Sequence, residues 1–188
     1  MWSPLLFSLL LALPANARDL CLGGECQCDG VVASCSGQDI KVGSAHTRLT
    51  ILLPHLSSQL VPSQLNPRLQ ELTLTNTSLS ILGSSQFFDY TELVTLDISG
   101  NQIAQIADLT FRFQQRLTSF NLSHNSISSL THLSFDGLSA LSALDLSHNL
   151  LEKVESGIFQ SLASLVNLDL GHNRIQSLDQ QPCLNWSI

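Results

Sequence analysis

The chain has 188 residues, a hydrophobic content of 44% and a formal net charge of −7. This length suffices for one or two domains, and the apolar content suffices for a substantial core. Lys and Arg number 8 against 15 Asp and Glu and form no cluster, which argues against nucleic acid and anionic membranes as partners. Only 12% of residues are charged and leucine dominates the apolar set, so leucine is expected to serve a periodic structural role.

Residues 1–17 are predicted to be a secretory signal peptide. An apolar run over 5–13 is followed by Pro14 and by the small residues Ala15 and Ala17, so cleavage is expected before Arg18. A short buried helix is the alternative interpretation, but the run is too short to span a bilayer and no later segment reaches that length. The prediction is secretion to the extracellular space, or the extracellular side of the plasma membrane if a longer form exists.

Cysteines cluster at the start of the mature chain, at Cys21, Cys26, Cys28 and Cys35. In a secreted chain such a cluster indicates disulfides, and four cysteines allow three pairings between which the sequence does not choose. A zinc site is the alternative, but the spacing C-x4-C-x-C-x6-C lacks paired C-x2-C motifs. The prediction is therefore disulfides and no metal.

The strongest pattern is a 24-residue repeat with five clear copies, which start at residues 69, 93, 117, 141 and 165. The copies follow L-x-x-L-x-L-x-x-N-x-L, as in LSALDLSHNLL from Leu141, with Ile or Phe at some Leu positions and Thr77 for Asn in the first copy. This pattern is the signature of a leucine-rich repeat. Alternate apolar residues project to one face of an extended segment, and stacked copies bury that face as a parallel sheet. The predicted core pairs are Leu72/Leu74, Leu96/Ile98, Phe120/Leu122, Leu144/Leu146 and Leu168/Leu170.

Three further sets of residues recur in step with the repeat, and we assign the whole array to residues 61–178. An Asn amide both donates and accepts, so a ladder of amides is predicted to satisfy buried backbone groups. The ladder is Asn101, Asn125, Asn149 and Asn173. A second apolar column and a stack of aromatic rings are predicted to follow it. They are Leu82, Ile106, Leu130, Val154 and Leu178, then Phe87, Phe111, Phe135 and Phe159.

One repeat holds Asp145, Ser147 and His148, the side-chain types of an acyl-transfer triad. The trio is not kept along the array, since Gly100 stands at the histidine position of an earlier repeat. A working triad also places its histidine between nucleophile and acid, whereas these residues follow one another along a strand and its exit. We predict no catalytic residue, no enzyme activity and no cofactor.

The outward strand positions form polar columns on a concave sheet face and are the candidate ligand-binding residues. They hold no Lys or Arg, so a protein ligand with basic contacts would suit them, while simple solvation is the alternative. The candidates are Thr73, Thr75, Asp97, Ser99, Asn121, Ser123, His124, Asp145, Ser147, His148, Asp169 and His172.

Among these candidates, His124, His148 and His172 occupy one position in successive repeats. At a strand spacing of about 4.8 Å they would hold a metal ion or titrate together below pH 7, because each added proton disfavours the next. Repetition of a scaffold residue is the alternative and the favoured interpretation. We therefore assign no metal ligand here.

Three sequons, at Asn76, Asn121 and Asn185, are candidates for N-glycosylation in a secreted chain. Asn121 lies in the middle of the outward columns. A glycan there would exclude a large ligand from the centre and direct its contacts to the flanks or edges.

From Cys21 to about Leu178 the chain resembles extracellular leucine-rich repeat proteins of the 24-residue type with a cysteine-rich N-terminal cap. The resemblance implies a repeat solenoid, a right-handed horseshoe with a concave parallel β-sheet and a mostly irregular or short-helical convex side. It also implies the pairings Cys21–Cys28 and Cys26–Cys35 in a cap that, with an irregular first coil, occupies residues 18–60. Members serve as ectodomains of Toll-like and neuronal receptors or as matrix components such as small proteoglycans.

The chain departs from this family at both ends of the array. Thr77 stands where the first repeat should have Asn, and the tail 179–188 holds one cysteine, Cys183, where a C-terminal cap has several. The last repeat is therefore expected to leave its flank open. Cys183 is a buried free thiol, an intermolecular disulfide partner, or the mark of a truncated frame.

Two functions remain. The first is a protein-binding module that is secreted or forms part of a cell-surface receptor ectodomain. The second is a matrix protein that self-associates, including as a homodimer through Cys183 or the last repeat. The identity of the ligand is not encoded in any motif of the repeats.

Overall fold

The computed structural model describes residues 26–29, 32–35, 48–51, 61, 65–178 and 185–187, and within them the chain forms strands and turns without a helix. The predicted signal peptide, Cys21 and Cys183 lie outside the described residues. The strands are β1 (Cys26–Asp29), β2 (Val32–Cys35), β3 (Arg48–Ile51), β4 (Glu71–Leu74), β5 (Ile81–Leu82), β6 (Thr95–Asp97), β7 (Gln105–Ile106), β8 (Ser119–Asn121), β9 (Ala143–Asp145), β10 (Lys153–Val154), β11 (Asn167–Asp169), β12 (Ser177–Leu178) and β13 (Asn185–Ser187).

Nine of these strands form one sheet in the order β1-β2-β3-β4-β6-β8-β9-β11-β13. All neighbours are parallel except β1 and β2, which pair antiparallel. Leu96 pairs with Leu72 on one side and Phe120 on the other, so equivalent positions of successive repeats lie opposite one another and each coil adds one strand. The predicted repeat solenoid with a parallel β-sheet is confirmed.

The inward face of this sheet is the core, as the alternation of apolar residues predicted. In β4 the burial alternates, with Leu72 and Leu74 buried and the residues between them half-buried. All ten predicted core positions are at most 2% exposed, so each strand has one dry face and one face open to solvent.

A second wall, made largely of consecutive turns, closes the core opposite the sheet. Leu82, Ile106, Leu130 and Val154 of the second apolar column are buried, as predicted; the side chain of Leu178 is outside the described set. Two-residue strands join coils here, β5 with β7 and β10 with β12. This side of the coil is irregular rather than short-helical in the described residues.

The four recurring phenylalanines are all buried, but their rings meet in pairs instead of one continuous stack. Phe87 lies 5.2 Å from Phe111 and Phe135 lies 6.0 Å from Phe159, between ring centroids. The ring of Phe111 also contacts the ring of Phe120, edge to face, with the two centroids 5.0 Å apart. Within the described part of the chain no ring contact joins the two pairs.

The predicted asparagine ladder is present. Asn101 accepts at Oδ1 from the backbone N–H of Thr77 at 2.8 Å and donates from Nδ2 to the carbonyl of Leu74 at 2.7 Å, so it joins its own coil to the preceding one. Thr77, which replaces Asn in the first repeat, is fully buried and donates from Oγ1 to the same amide oxygen. The N–H of Leu79 also donates to Oδ1 of Asn101. Asn125, Asn149 and Asn173 make the bonds equivalent to those with Leu79 and Leu74.

The sheet continues beyond the five clear repeats at both ends. Strand β3 lies in the segment predicted to hold an irregular first coil, and its Leu49 pairs in parallel with Leu72, so this strand belongs to one more coil of the solenoid. Strand β13 lies in the predicted tail and pairs parallel with β11, with Leu168 opposite Trp186. The backbone edge of β11 is therefore covered by a strand, and the expectation of an open last repeat is wrong at this edge.

Candidate ligand-binding face

The outward positions of β4, β6, β8, β9 and β11 form a surface that we call the exposed sheet face. Its central column runs across the sheet in register, with neighbouring strands about 4.8 Å apart. Every member of the column is half-buried. The members are Thr73, Asp97, Asn121, Asp145 and Asp169.

The acidic members of this column are held in one orientation by the backbone. Asp145 accepts at Oδ1 from the N–H of Ser147 at 2.8 Å, and Asp97 and Asp169 make the same turn with the residue two positions later. Asn121 makes it with the N–H of Ser123 at 3.0 Å. A carboxylate and an amide fill this role equally well, so the turn does not require the charge.

The candidate residues two positions after the central column are only partly exposed to solvent. Thr75 and Ser99 are half-buried, but Ser123 and Ser147 are 7% and 8% exposed, so the prediction that these two lie on the surface is wrong. The turn around the preceding Asp or Asn side chain is common to the whole column and does not by itself account for the difference, because Ser99 makes it with Asp97 and stays half-buried.

The three histidines form a continuous exposed stack at the strand exits. The rings of His124 and His148 lie 4.1 Å apart at 10°, and those of His148 and His172 lie 4.2 Å apart at 13°. Each has a left-handed backbone, with φ values of 53°, 53° and 56°. Asn76 and Gly100 occupy the same repeat position with φ of 55° and 66°.

This left-handed backbone explains the residue types in the column. Asn, Gly and His all tolerate positive φ better than most residues, and the alternation of the strand gave no indication of it. The residue types at this repeat position could have indicated the left-handed backbone, but the sequence analysis did not predict it. The residues are Asn76, Gly100, His124, His148 and His172.

His148 is the ring between the other two. Loss of hydration between its neighbours and then repulsion by His124 and His172 lower its pKa below 6.5, while Asp145 and Asp169 act in the opposite direction. The stack is therefore neutral in its centre at neutral pH and resists protonation of the middle ring.

An open depression of about 610 Å³ lies beside the stack. It is lined by the three rings, by three ladder amides that are already bonded to backbone, by Leu150 and by Arg174. Among the described residues, the lining holds no carboxylate, although the chain carries a net charge of −7. Arg174 was not among the residues singled out from the sequence.

The three residues that resemble an acyl-transfer triad in composition, Asp145, Ser147 and His148, are not arranged as a catalytic triad. Asp145 binds the backbone N–H of Ser147, Ser147 is buried, and His148 stacks on two other imidazoles. Within the described residues no group of three or more His, Cys, Asp and Glu side chains is placed to hold a metal ion. No helix of the described chain is long and apolar enough to cross a membrane.

The sequons fall in three different environments. Asn76 is exposed at a strand exit, Asn121 is half-buried at the centre of the exposed sheet face, and Asn185 opens strand β13. The hydroxyl residue of the central sequon, Ser123, is buried in the folded chain.

The repeats, the register and the amide ladder define the class of this structure. A family model described as leucine rich repeat matches residues 91–151 and 115–175. Residues 91–175 therefore carry leucine-rich repeats, and the fold around them is a solenoid of parallel strands.

One solved structure with a similar fold is that of a receptor complex. The chain is similar to one in a crystal structure of a TLR13–ssRNA13 complex, with 28% identity and a TM-score of 0.61. The similarity covers 79% of this chain and 19% of the receptor chain, so our sequence spans about a fifth of that receptor's length. Solved chains that match number 301, so the likeness reflects a widely used scaffold. A search of curated protein sequences gave no significant match.

Proposed function

We propose that the chain is an extracellular protein-binding module, secreted or part of a cell-surface receptor ectodomain, that binds a protein ligand through the exposed sheet face or its edges. The observation that carries the proposal is the central column, where Asp97, Asp145 and Asp169 are fixed by backbone hydrogen bonds. The columns that flank them contain no Lys or Arg. A preorganised acidic surface favours a ligand with basic side chains.

The extracellular setting rests on the predicted signal peptide and on the cysteines. Cys26 and Cys35 are directly opposite in the antiparallel pair β1–β2. Cα atoms of such partners lie about 4.5–5.5 Å apart, within the range of a disulfide. This register supports the pairing Cys26–Cys35, with Cys21 left to pair with Cys28. Peptide mapping without reduction tests both bonds, and a Cys26–Cys28 linkage would contradict them.

The likeness to a receptor structure supports a binding role rather than an enzymatic one. That structure is a complex with ssRNA13, but the acidic central column of our chain favours a basic protein. Single-stranded RNA at pH 7.5 is therefore the appropriate negative control in a binding screen.

The test is a screen of extracellular proteins against the secreted chain, followed by a charge-neutralised variant. Asp97→Asn/Asp145→Asn/Asp169→Asn keeps each turn, because Asn121 makes the same hydrogen bond in the native chain. All proteins in this test are produced without N-glycosylation, because Asp97→Asn, Asp145→Asn and Asp89→Asn create new sequons. A true ligand saturates at 1:1 and binds the variant at least about tenfold more weakly, with a smaller dependence on salt. The control is Asp89→Asn/Asp136→Asn/Glu152→Gln, whose three charges lie outside the exposed sheet face.

Equal binding to all three proteins would remove the exposed sheet face from the proposal. The second function, a self-associating matrix protein, predicts a different result: large assemblies in sedimentation that persist in Cys183→Ser. Disappearance of the assemblies in that variant would instead assign them to an intermolecular disulfide.

A further inference from the structure

The depression beside the histidine stack differs in charge from the exposed sheet face, although the two surfaces adjoin. Among the described residues that line the depression, Arg174 is the only permanently charged one. The imidazoles of His124, His148 and His172 also line it. Asp145 and Asp169 act on His148 from the sheet, but neither lines the depression. Acidification would therefore build positive charge on one side of the strand exits while the aspartates stay on the other.

We propose that His124, His148, His172 and Arg174 form an acid-activated binding site for a phosphate or sulfate group, seated in this depression. Imidazoles gain both a charge and a second N–H donor when they are protonated. Adjacent rings 4.1 and 4.2 Å apart can donate to different oxygens of one tetrahedral oxyanion. Arg174 adds a guanidinium with several further donors.

The stack also supplies the pH dependence. Repulsion by His124 and His172 disfavours protonation of the middle ring, His148. A bound oxyanion neutralises this repulsion and stabilises the charged rings. Binding is thus linked to proton uptake and strengthens as the pH falls below the usual range of histidine.

The neighbouring amides do not compete for the ligand. Nδ2 of Asn125 and Nδ2 of Asn149 each donate to backbone carbonyls, as does that of Asn173 at the end of the series. They form the floor of the depression, while the rings and Arg174 are the groups free to change partners on the solvent side.

The experiment is a titration of the whole secreted chain with inorganic sulfate in chloride buffer, because sulfate keeps the same charge across the pH range of the test. Calorimetry at pH 5.5 and 7.5 gives the affinity, and NMR of the imidazole signals gives the pKa of His148 with and without sulfate. We expect binding at least about tenfold tighter at pH 5.5, together with an increase in the pKa of His148 on binding. Equal affinity at the two pH values, or an unchanged His148 titration, would overturn the proposal.

The decisive variant is His124→Gly/His148→Gly/His172→Gly. Gly100 already occupies this repeat position with φ of 66°, so the substitution suits the backbone, and an unchanged melting temperature at pH 7.5 verifies folding. Glycine is chosen over asparagine because His124→Asn would create a sequon with Ser126. We expect the variant to abolish the pH dependence, and Arg174→Gln to weaken binding at both pH values. The matched control is His132→Gln, at an exposed histidine outside the depression, which should bind like the native chain. Native-like binding by the triple variant would refute the site.

The source of the oxyanion is distinguished by comparing inorganic phosphate, inorganic sulfate and glycerol 3-phosphate. Tighter binding of the ester indicates a group carried by a larger ligand, whereas equal binding indicates the free anion. The site does not use the carboxylates of the exposed sheet face as contacts, so its failure would leave the proposed protein-binding function standing.

Discussion

The side chain of Asn125 and the backbone of Ile103 are joined by a hydrogen bond across two coils, from the N–H of Ile103 to Oδ1 of Asn125 at 3.1 Å. Nδ2 of the same amide donates to the carbonyls of Ile98 at 3.1 Å and Leu122 at 2.9 Å. One side chain thus satisfies backbone groups of its own coil and of the preceding one. Cohesion between coils depends on these bonds as well as on the apolar core.

Asn125→Ala should therefore destabilise the chain by about 2–4 kcal/mol, because it leaves buried backbone groups without partners. Denaturation with urea gives the change in the free energy of unfolding. Asn167→Ala, at an exposed position of β11, is the matched control and should change that free energy by less than about 0.5 kcal/mol. Similar losses in the two variants would show that the ladder contributes little.

Phe135→Ala should cost about 3–5 kcal/mol, since the side chain is fully buried and packs 6.0 Å from Phe159. Urea denaturation measures this loss, and the transition should broaden if individual coils unfold separately. Phe88→Ala is the comparison, because Phe88 is 58% exposed and packs edge to face against Phe113 at the margin of the core. A cost for Phe135→Ala no greater than that for Phe88→Ala would contradict the packing described.

Stability should fall as the pH is lowered from 7.5 to 5.5. The folded pKa of His148 lies below its unfolded value of 6.5, so the unfolded chain takes up the proton first. The contribution of the neutral ring is complete above pH 6.5 and is lost as the pH falls through the folded pKa. Melting temperatures in chloride buffer, free of phosphate and sulfate, measure the effect.

His148→Asn should flatten this pH dependence, whereas His132→Gln should leave it unchanged. Added phosphate should reduce the loss of stability at pH 5.5 in the native chain, because the proposed site then binds its ligand to the folded state. An identical pH profile in native and His148→Asn proteins would exclude the stack as the cause.

Asn121 is expected to carry a glycan when the chain passes through the secretory pathway, because its sequon is accessible before folding buries Ser123. Mass spectrometry of the peptide that contains Asn121, with and without glycosidase, measures occupancy. Asn121→Asp removes the sequon but keeps the turn, since Asp97 and Asp145 make the same bond. A large ligand should then bind the variant more tightly at the centre; an unmodified native peptide would contradict this.

The sequence predicted the array well because its signal is repeated five times in constant register. The core pairs, the second apolar column as far as Val154 and the positions of the ladder amides all follow from the spacing of residues within one repeat, which recurs in every coil. The strand β13 was missed because Leu168 and Trp186 are paired at a separation shorter than the period of the repeat. Only pairing in space reveals that this strand extends the sheet.

By itself the sequence determined which residues face the core, because alternation along a strand and the constant period of the repeat are local properties. The tertiary structure alone decided how the outward residues are used. It buried Ser123 and Ser147 but left Ser99, at the same repeat position, half-buried. It also brought the rings of three histidines from successive repeats to within 4.2 Å of their neighbours, beside Arg174. Surface chemistry of this kind depends on backbone handedness and on contacts between coils, which no single repeat contains.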